Sequence, residues 1–244
     1  QHPLILRVSL LISLSKSQEE HALELHNRAI VFDGHADIGM DVYLRRVKGE
    51  THVLEQRHVE KMRSGGITGN SAIVWCDDGS YTYGTSEPAP LIALRSFEFM
   101  RLELEESPQF FLFAKDAGDI RTAKTEGKIA LLLGFEGGQA LGLDLNYLKA
   151  FHDLGLRTVQ LTWNQRNLIA DGCQERSKSG VSNFGAQVIE EMNRLKMVVD
   201  VAHASEATFF DALSISKDPV ICSHANAKAL CNNPRNLTDE QIHA

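Results

Sequence analysis

Ala29-Ile-Val-Phe-Asp-Gly-His-Ala-Asp37 runs from apolar residues straight into two side chains able to hold a metal. The run Ile30 to Asp33 predicts a buried strand. His35 and Asp37, two residues apart at its carboxyl end, would point the same way and grip one cation. The same grammar recurs along the chain. Glu136 follows Leu131-Leu-Leu-Gly-Phe135, His203 follows Val198-Val-Asp-Val-Ala202, and His224 follows Pro219-Val-Ile-Cys-Ser223.

Working outward, further strands are predicted at Ile67 to Trp75, Ile129 to Gly134, Thr158 to Thr162, Met197 to Val201 and Val220 to Ser223. Most lack clean alternation, as strands buried on both faces do. Helices are predicted at Val53 to Arg63, Pro90 to Glu106, Asp116 to Glu126, Leu145 to Leu154, Asn183 to Leu195 and Ser205 to Ser216. Thr238, with Gln241 three residues on, has the form of a capping box. Asp77 to Pro90 and Asp171 to Ser182 read as loops.

Strands alternating with helices argue for a parallel α/β fold. The position of the polar residues favours a (β/α)8 barrel of the TIM type, with about six of eight strands present, over an open doubly wound sheet. Each candidate ligand follows a different strand, and in a barrel those carboxyl ends converge on one mouth. An open sheet concentrates its chemistry at one switch point. No dinucleotide or Walker phosphate loop is present.

The 244 residues suffice for one sizeable core. A net charge of -7 and the lack of a basic stripe speak against a nucleic-acid partner. Four cysteines, with no close pair, read as reduced thiols rather than a disulfide framework. The apolar run Leu4 to Leu14 is too short to span a bilayer, so these residues give no support for membrane association. Residues 1–28 are expected to be a lead-in, containing a signal remnant or a first helix, and residues 29–244 the barrel domain. The chain opens on Gln1 and closes inside a helix start, which predicts a fragment truncated at its C-terminus.

A buried carboxylate is costly unless it is paired, hydrogen-bonded or metal-bound, and this singles out Glu136. His2, His21, His26, His52, His58, His152 and His243 read as surface or satisfied core histidines. His35, Asp37, Glu136, His203 and His224 are too many ligands for one tetrahedral zinc with an open position. They suit two metals sharing a carboxylate and holding a bridging hydroxide, so the residues favour a binuclear metallohydrolase.

At this point the chain resembles the membrane dipeptidase (renal dipeptidase) family, the M19 metallopeptidases, over about Ala29 to Ala244. The resemblance rests on Asp33-Gly-His-Ala-Asp37, Phe135-Glu-Gly-Gly138, Leu154 to Asn164, Asn183-Phe-Gly185, Glu191 to Leu195, Val199 to His203, Cys222 to Ala227 and Pro234 to Gln241. It implies two Zn2+ per chain. His35 and Asp37 would bind the first, His203 and His224 the second, and Glu136 would bridge them. It also implies a dipeptide substrate whose carboxylate is received by Arg235, and membership of a family that often dimerises.

Two departures stand out. Trp163 occupies the position of a substrate-contacting histidine in the renal type, as in bacterial-type members, and would wall the pocket. The family's catalytic aspartate, in a Ser-Asp-Phe type stretch, is expected beyond residue 244, so the isolated piece is expected to be unstable or inactive. Bacterial-type members imply a cytoplasmic location; mammalian ones are secreted and lipid-anchored. Two alternatives stay open: hydrolysis of another amide or a lactone, and an inactive metal-binding protein.

Overall fold

The computed structural model describes residues 14–74, 88–177 and 179–244. Six parallel strands form one curled, open sheet: β1 Phe32–Ala36, β2 Gly69–Val74, β3 Phe111–Ala114, β4 Ile129–Glu136, β5 Leu156–Gln160 and β6 Val198–Asp200. Ten helices accompany them among the described residues: α1 Lys16–Arg28, α2 Ile38–Arg46, α3 Val53–Arg57, α4 Val59–Ser64, α5 Ala89–Glu106, α6 Ala117–Glu126, α7 Leu145–Leu154, α8 Asn183–Arg194, α9 Glu206–Ile215 and α10 Asp239–His243. This is the expected partial barrel. The end of predicted strand Ile67 to Trp75, the loop Asp77 to Pro90 and the run Leu4 to Leu14 fall wholly or partly outside the described residues.

The strand order is β1-β2-β4-β5-β6. β4 is the central and longest strand. Its near edge pairs with β2 throughout, from Gly69↔Ala130 to Val74↔Phe135. Its far edge is shared: Ile129 to Leu132 pair with β3, and Leu133 to Glu136 pair with β5. β2 is buried along its whole length and β4 at six of eight positions, which is why neither alternates in sequence.

Two expectations about strands are corrected. Val220 to Ser223 is not a strand. It makes one parallel bridge, Asp200↔Ile221, with Ile221 N–H donating to Val199 O and Val201 N–H to Ile221 O. Ile221 remains 39% exposed, because the segment has a strand neighbour on one side only. β3 was not anticipated. Phe111-Leu-Phe-Ala114 is four residues long and follows Pro108, so its sequence reads as a helix stop. The chain from Val53 to Ser64 is also two helices, kinked at His58, whose ring turns to Asp41 (Nε2 to Oδ2 2.9 Å).

The helix ends obey local chemistry. Asp116 caps α6 by accepting from Gly118 and Asp119 N–H, Asp144 caps α7, Ser182 caps α8 and Ser205 caps α9. The Thr238–Gln241 capping box at α10 is present. Gly155 closes α7 with φ +117, and a Cβ there would lie 2.1 Å from the Phe113 ring.

The core lies between the sheet and its helices. Phe135 of β4 meets Phe97 of α5 edge-on at 5.8 Å and Phe151 of α7 at 5.0 Å. α2 and α5 are joined by ions: Arg46 Nε donates to Glu103 Oε1 at 2.6 Å, Leu54 N–H to Glu103 Oε2 at 2.8 Å, and Arg46 Nη2 to Glu106. Glu103 is fully buried. No helix among the described residues is long and apolar enough to cross a membrane.

Candidate metal centre

β4 places Glu136. Because neighbouring residues on a strand face opposite sides, burying Phe135 against the helices turns Glu136 toward the barrel interior. Three imidazoles meet it there. Glu136 Oε1 lies 3.2 Å from His203 Nε2, 3.5 Å from His224 Nε2 and 3.7 Å from His35 Nε2. His203 Nε2 and His224 Nε2 are 3.1 Å apart, and the His35 and His224 rings lie tilted by 34° with centroids 3.7 Å apart. The curl of the sheet therefore brings the end of β1 against the segment after Ile221.

His35 lies within β1 and its side chain is 8% exposed. Asp37 has already left the strand and stands at the N-cap of α2. The pair still meets, with His35 Nε2 3.2 Å from Asp37 Oδ1. His203 follows β6 in a left-handed conformation, φ +64. Its Nδ1 lies 2.8 Å from Asn164 Oδ1, and His224 Nδ1 lies 2.8 Å from Ser223 Oγ. Trp163 stacks near His203, centroids 6.1 Å apart. Arg235 Nη2 donates to the His224 carbonyl oxygen, and Arg235 shares with His203 and Lys228 a cavity of about 110 Å3.

The electrostatics follow from this crowding. Burial pushes the Glu136 carboxyl up, but hydrogen bonds from His203 and His224 and the charge of His35 outweigh it and hold it far below the ordinary carboxylate range. Burial pushes His203 down, beyond what Glu136 restores. For His35 burial is outweighed by Asp37 and Glu136, and the net shift is upward. Burial lifts the Cys222 thiol to about 11, so it stays protonated near neutrality.

The donor set fits a zinc ion. Zn–N bonds of about 2.0–2.1 Å in a tetrahedron put ligand atoms roughly 3.3–3.5 Å apart, close to the spacings found. His35, Glu136 and His224 form the triad whose ligand atoms all lie within 4.8 Å of one another. His203 joins through Glu136 and His224, so the described residues form one cluster rather than two separate sites. Asn164 and Ser223 were missed as partners of the ligand rings. Their only sequence signal is adjacency, Asn164 to Trp163 and Ser223 to His224.

Comparison with known proteins accords with this geometry. The chain is 30% identical over 241 residues to Dipeptidase 3 of Mus musculus, covering 91% of this chain and 46% of that protein. It is 27% identical over 233 residues to an uncharacterized dipeptidase of Schizosaccharomyces pombe, covering 87% of this chain and 56% of that protein. The chain thus spans about half the length of these curated relatives. Among solved structures, the fold resembles a metallopeptidase of Rhodobacter sphaeroides liganded with a phosphinate mimic of the dipeptide L-Ala-D-Ala (TM-score 0.77, 23% identity, 87% of this chain and 70% of that one). Residues 19–244 match the membrane dipeptidase family, peptidase family M19, and the chain belongs to that family.

Proposed function

We propose that this chain carries the metal centre of a zinc-dependent dipeptidase, with His35 and Asp37 on one zinc ion, His203 and His224 on a second, and Glu136 on both. The observation that carries this reading is the convergence of three imidazole Nε2 atoms on one oxygen of Glu136, within 3.2–3.7 Å, in a chain of the M19 family. Zinc bound there would polarise a scissile carbonyl and make water a nucleophile near neutral pH.

The chain's own residues supply the rest. The depressed Glu136 carboxyl stays anionic and offers two oxygens. Asn164 and Ser223 orient the His203 and His224 rings through their far nitrogens. Arg235, half-buried beside His203, receives the substrate carboxylate with its guanidinium fork. Trp163 walls the pocket and contributes one N–H at most. A dipeptide is the substrate class proposed, supported by the dipeptide mimic held by the Rhodobacter relative. The barrel unit is assigned to residues 29–244, preceded by the lead-in 1–28.

The test is a substrate panel. The zinc-loaded full-length parent protein is offered L,L dipeptides, Gly-D-Ala type dipeptides, N-acylated amino acids and lactones. Hydrolysis confined to dipeptides with free ends is the expected result. Turnover of lactones or acylated amino acids instead would assign the centre to another hydrolase reaction. Zinc binding with no turnover of any of them would leave a metal-binding protein.

A further inference from the structure

We propose that Asn164 is a positioning residue: its amide oxygen holds the His203 ring in the tautomer that presents Nε2 to a metal ion. The inference rests on the zinc-centre reading and adds to it the loop that follows β5.

A neutral imidazole carries one N–H, and an amide oxygen only accepts. With Asn164 Oδ1 2.8 Å from Nδ1, an Nδ1–H donates to it, so that a metal ion taking the place of the Nε2 proton now shared with Glu136 meets the Nε2 lone pair of a neutral ring. Turned over, the same amide would donate to Nδ1, move the ring proton to Nε2 and block ligation. One contact opposes that turn: Cys173 Sγ donates to the same oxygen at 3.5 Å. Gln174 N–H donates to the Asn164 backbone carbonyl at 2.9 Å and holds the residue in place.

The same turn fixes the backbone of His203. Cys173 N–H donates to His203 O at 2.7 Å, and Thr162 Oγ1 lies 3.4 Å from that oxygen. This holds a non-glycine residue at φ +64, a conformation L-residues disfavour. Gly172 makes the close approach feasible. A Cβ there would lie 2.3 Å from Trp163 O and 2.4 Å from Asn164 C. Ring and carbonyl of His203 are therefore set by one short stretch, which neither supplies a ligand nor touches the reacting atoms.

The experiment compares the full chain with Asn164→Ala and Asn164→Asp. Long-range 1H–15N NMR of the zinc-loaded protein reads the His203 tautomer, and competition with a chromogenic chelator reads zinc affinity. The wild-type ring is expected to carry its proton on Nδ1. Asn164→Ala should lower zinc affinity by about 10- to 100-fold without changing the thermal midpoint of the metal-free protein. Asn164→Asp, which keeps an acceptor oxygen, should restore most of it. A wild-type ring protonated on Nε2, or an Asn164→Ala variant with unchanged affinity, would overturn the proposal. Should Asn164→Ala fail to fold, the wild-type tautomer and the Asn164→Asp affinity decide. Zinc affinity that depends on Asn164, in a protein inert toward every dipeptide, would remove the dipeptidase reading and leave this one standing.

Discussion

Glu136 owes its position to the residue before it. Phe135 is held by Phe97 and Phe151, and strand alternation does the rest. That logic was legible in the sequence, because an acid ending a long apolar run needs partners. His35, His203 and His224 were legible for the same reason. Asn164 was not: it reaches His203 across 39 residues, and no local pattern marks such a contact. Arg235 donates to the His224 carbonyl, and the proposed function gives it a second partner, the substrate carboxylate. Arg235→Leu is expected to raise the KM for dipeptides at least tenfold, an effect worth about 1.4 kcal/mol, with zinc content unchanged. Steady-state kinetics beside metal analysis would separate the roles, since equal loss of zinc and activity would make Arg235 a support for His224 alone.

At the scale of elements, helices were read more closely than strands. Capping residues and 3.6-residue stripes are local, so α5, α6 and α7 fall within a residue or so of expectation. Strands need neighbours. Phe111–Ala114 is a strand because β4 offers a free half-edge, and Val220 to Ser223 is not one because, among the described residues, only β6 adjoins it. The α2–α5 junction gives a sharp test of element packing. Glu103→Ala would leave the buried Leu54 N–H without its acceptor and Arg46 with Glu106 as its remaining acidic partner, which is expected to cost about 1–3 kcal/mol, read as a lower urea midpoint. A cost within experimental error would mean that the clamp contributes nothing net. Gly155→Ala forces a positive φ on a Cβ that meets Phe113, and a loss of roughly 1–3 kcal/mol is expected in the same titration.

For the whole molecule, acid should loosen the fold in a defined window. Asp41, Glu106 and Asp171 all titrate below the ordinary carboxylate value in the folded chain. Burial opposes this at Asp41 and Glu106 but is outweighed, by His58 and Arg45 in one case and by the His52 N–H and Arg46 in the other; at Asp171 the Arg166 fork dominates. A depressed folded pKa means that the unfolded chain binds protons more readily. The stabilisation is therefore complete above the unfolded carboxylate pKa, about 4, and is lost as pH falls below it toward the folded values. In chelator, the urea midpoint should hold from about pH 7 to 5 and fall below about 4. A loss completed above pH 5 would point to other groups.

We propose that one cluster, built around Glu136, binds two zinc ions. The direct measurement is zinc per chain, by elemental analysis after dialysis against zinc and removal of free metal, for the wild-type chain and for Glu136→Gln. The result expected is two zinc ions per wild-type chain and a marked loss in Glu136→Gln, with the far-ultraviolet circular dichroism unchanged. Fewer than two ions on the intact chain, or a Glu136→Gln variant that binds zinc as the wild type does, would contradict it.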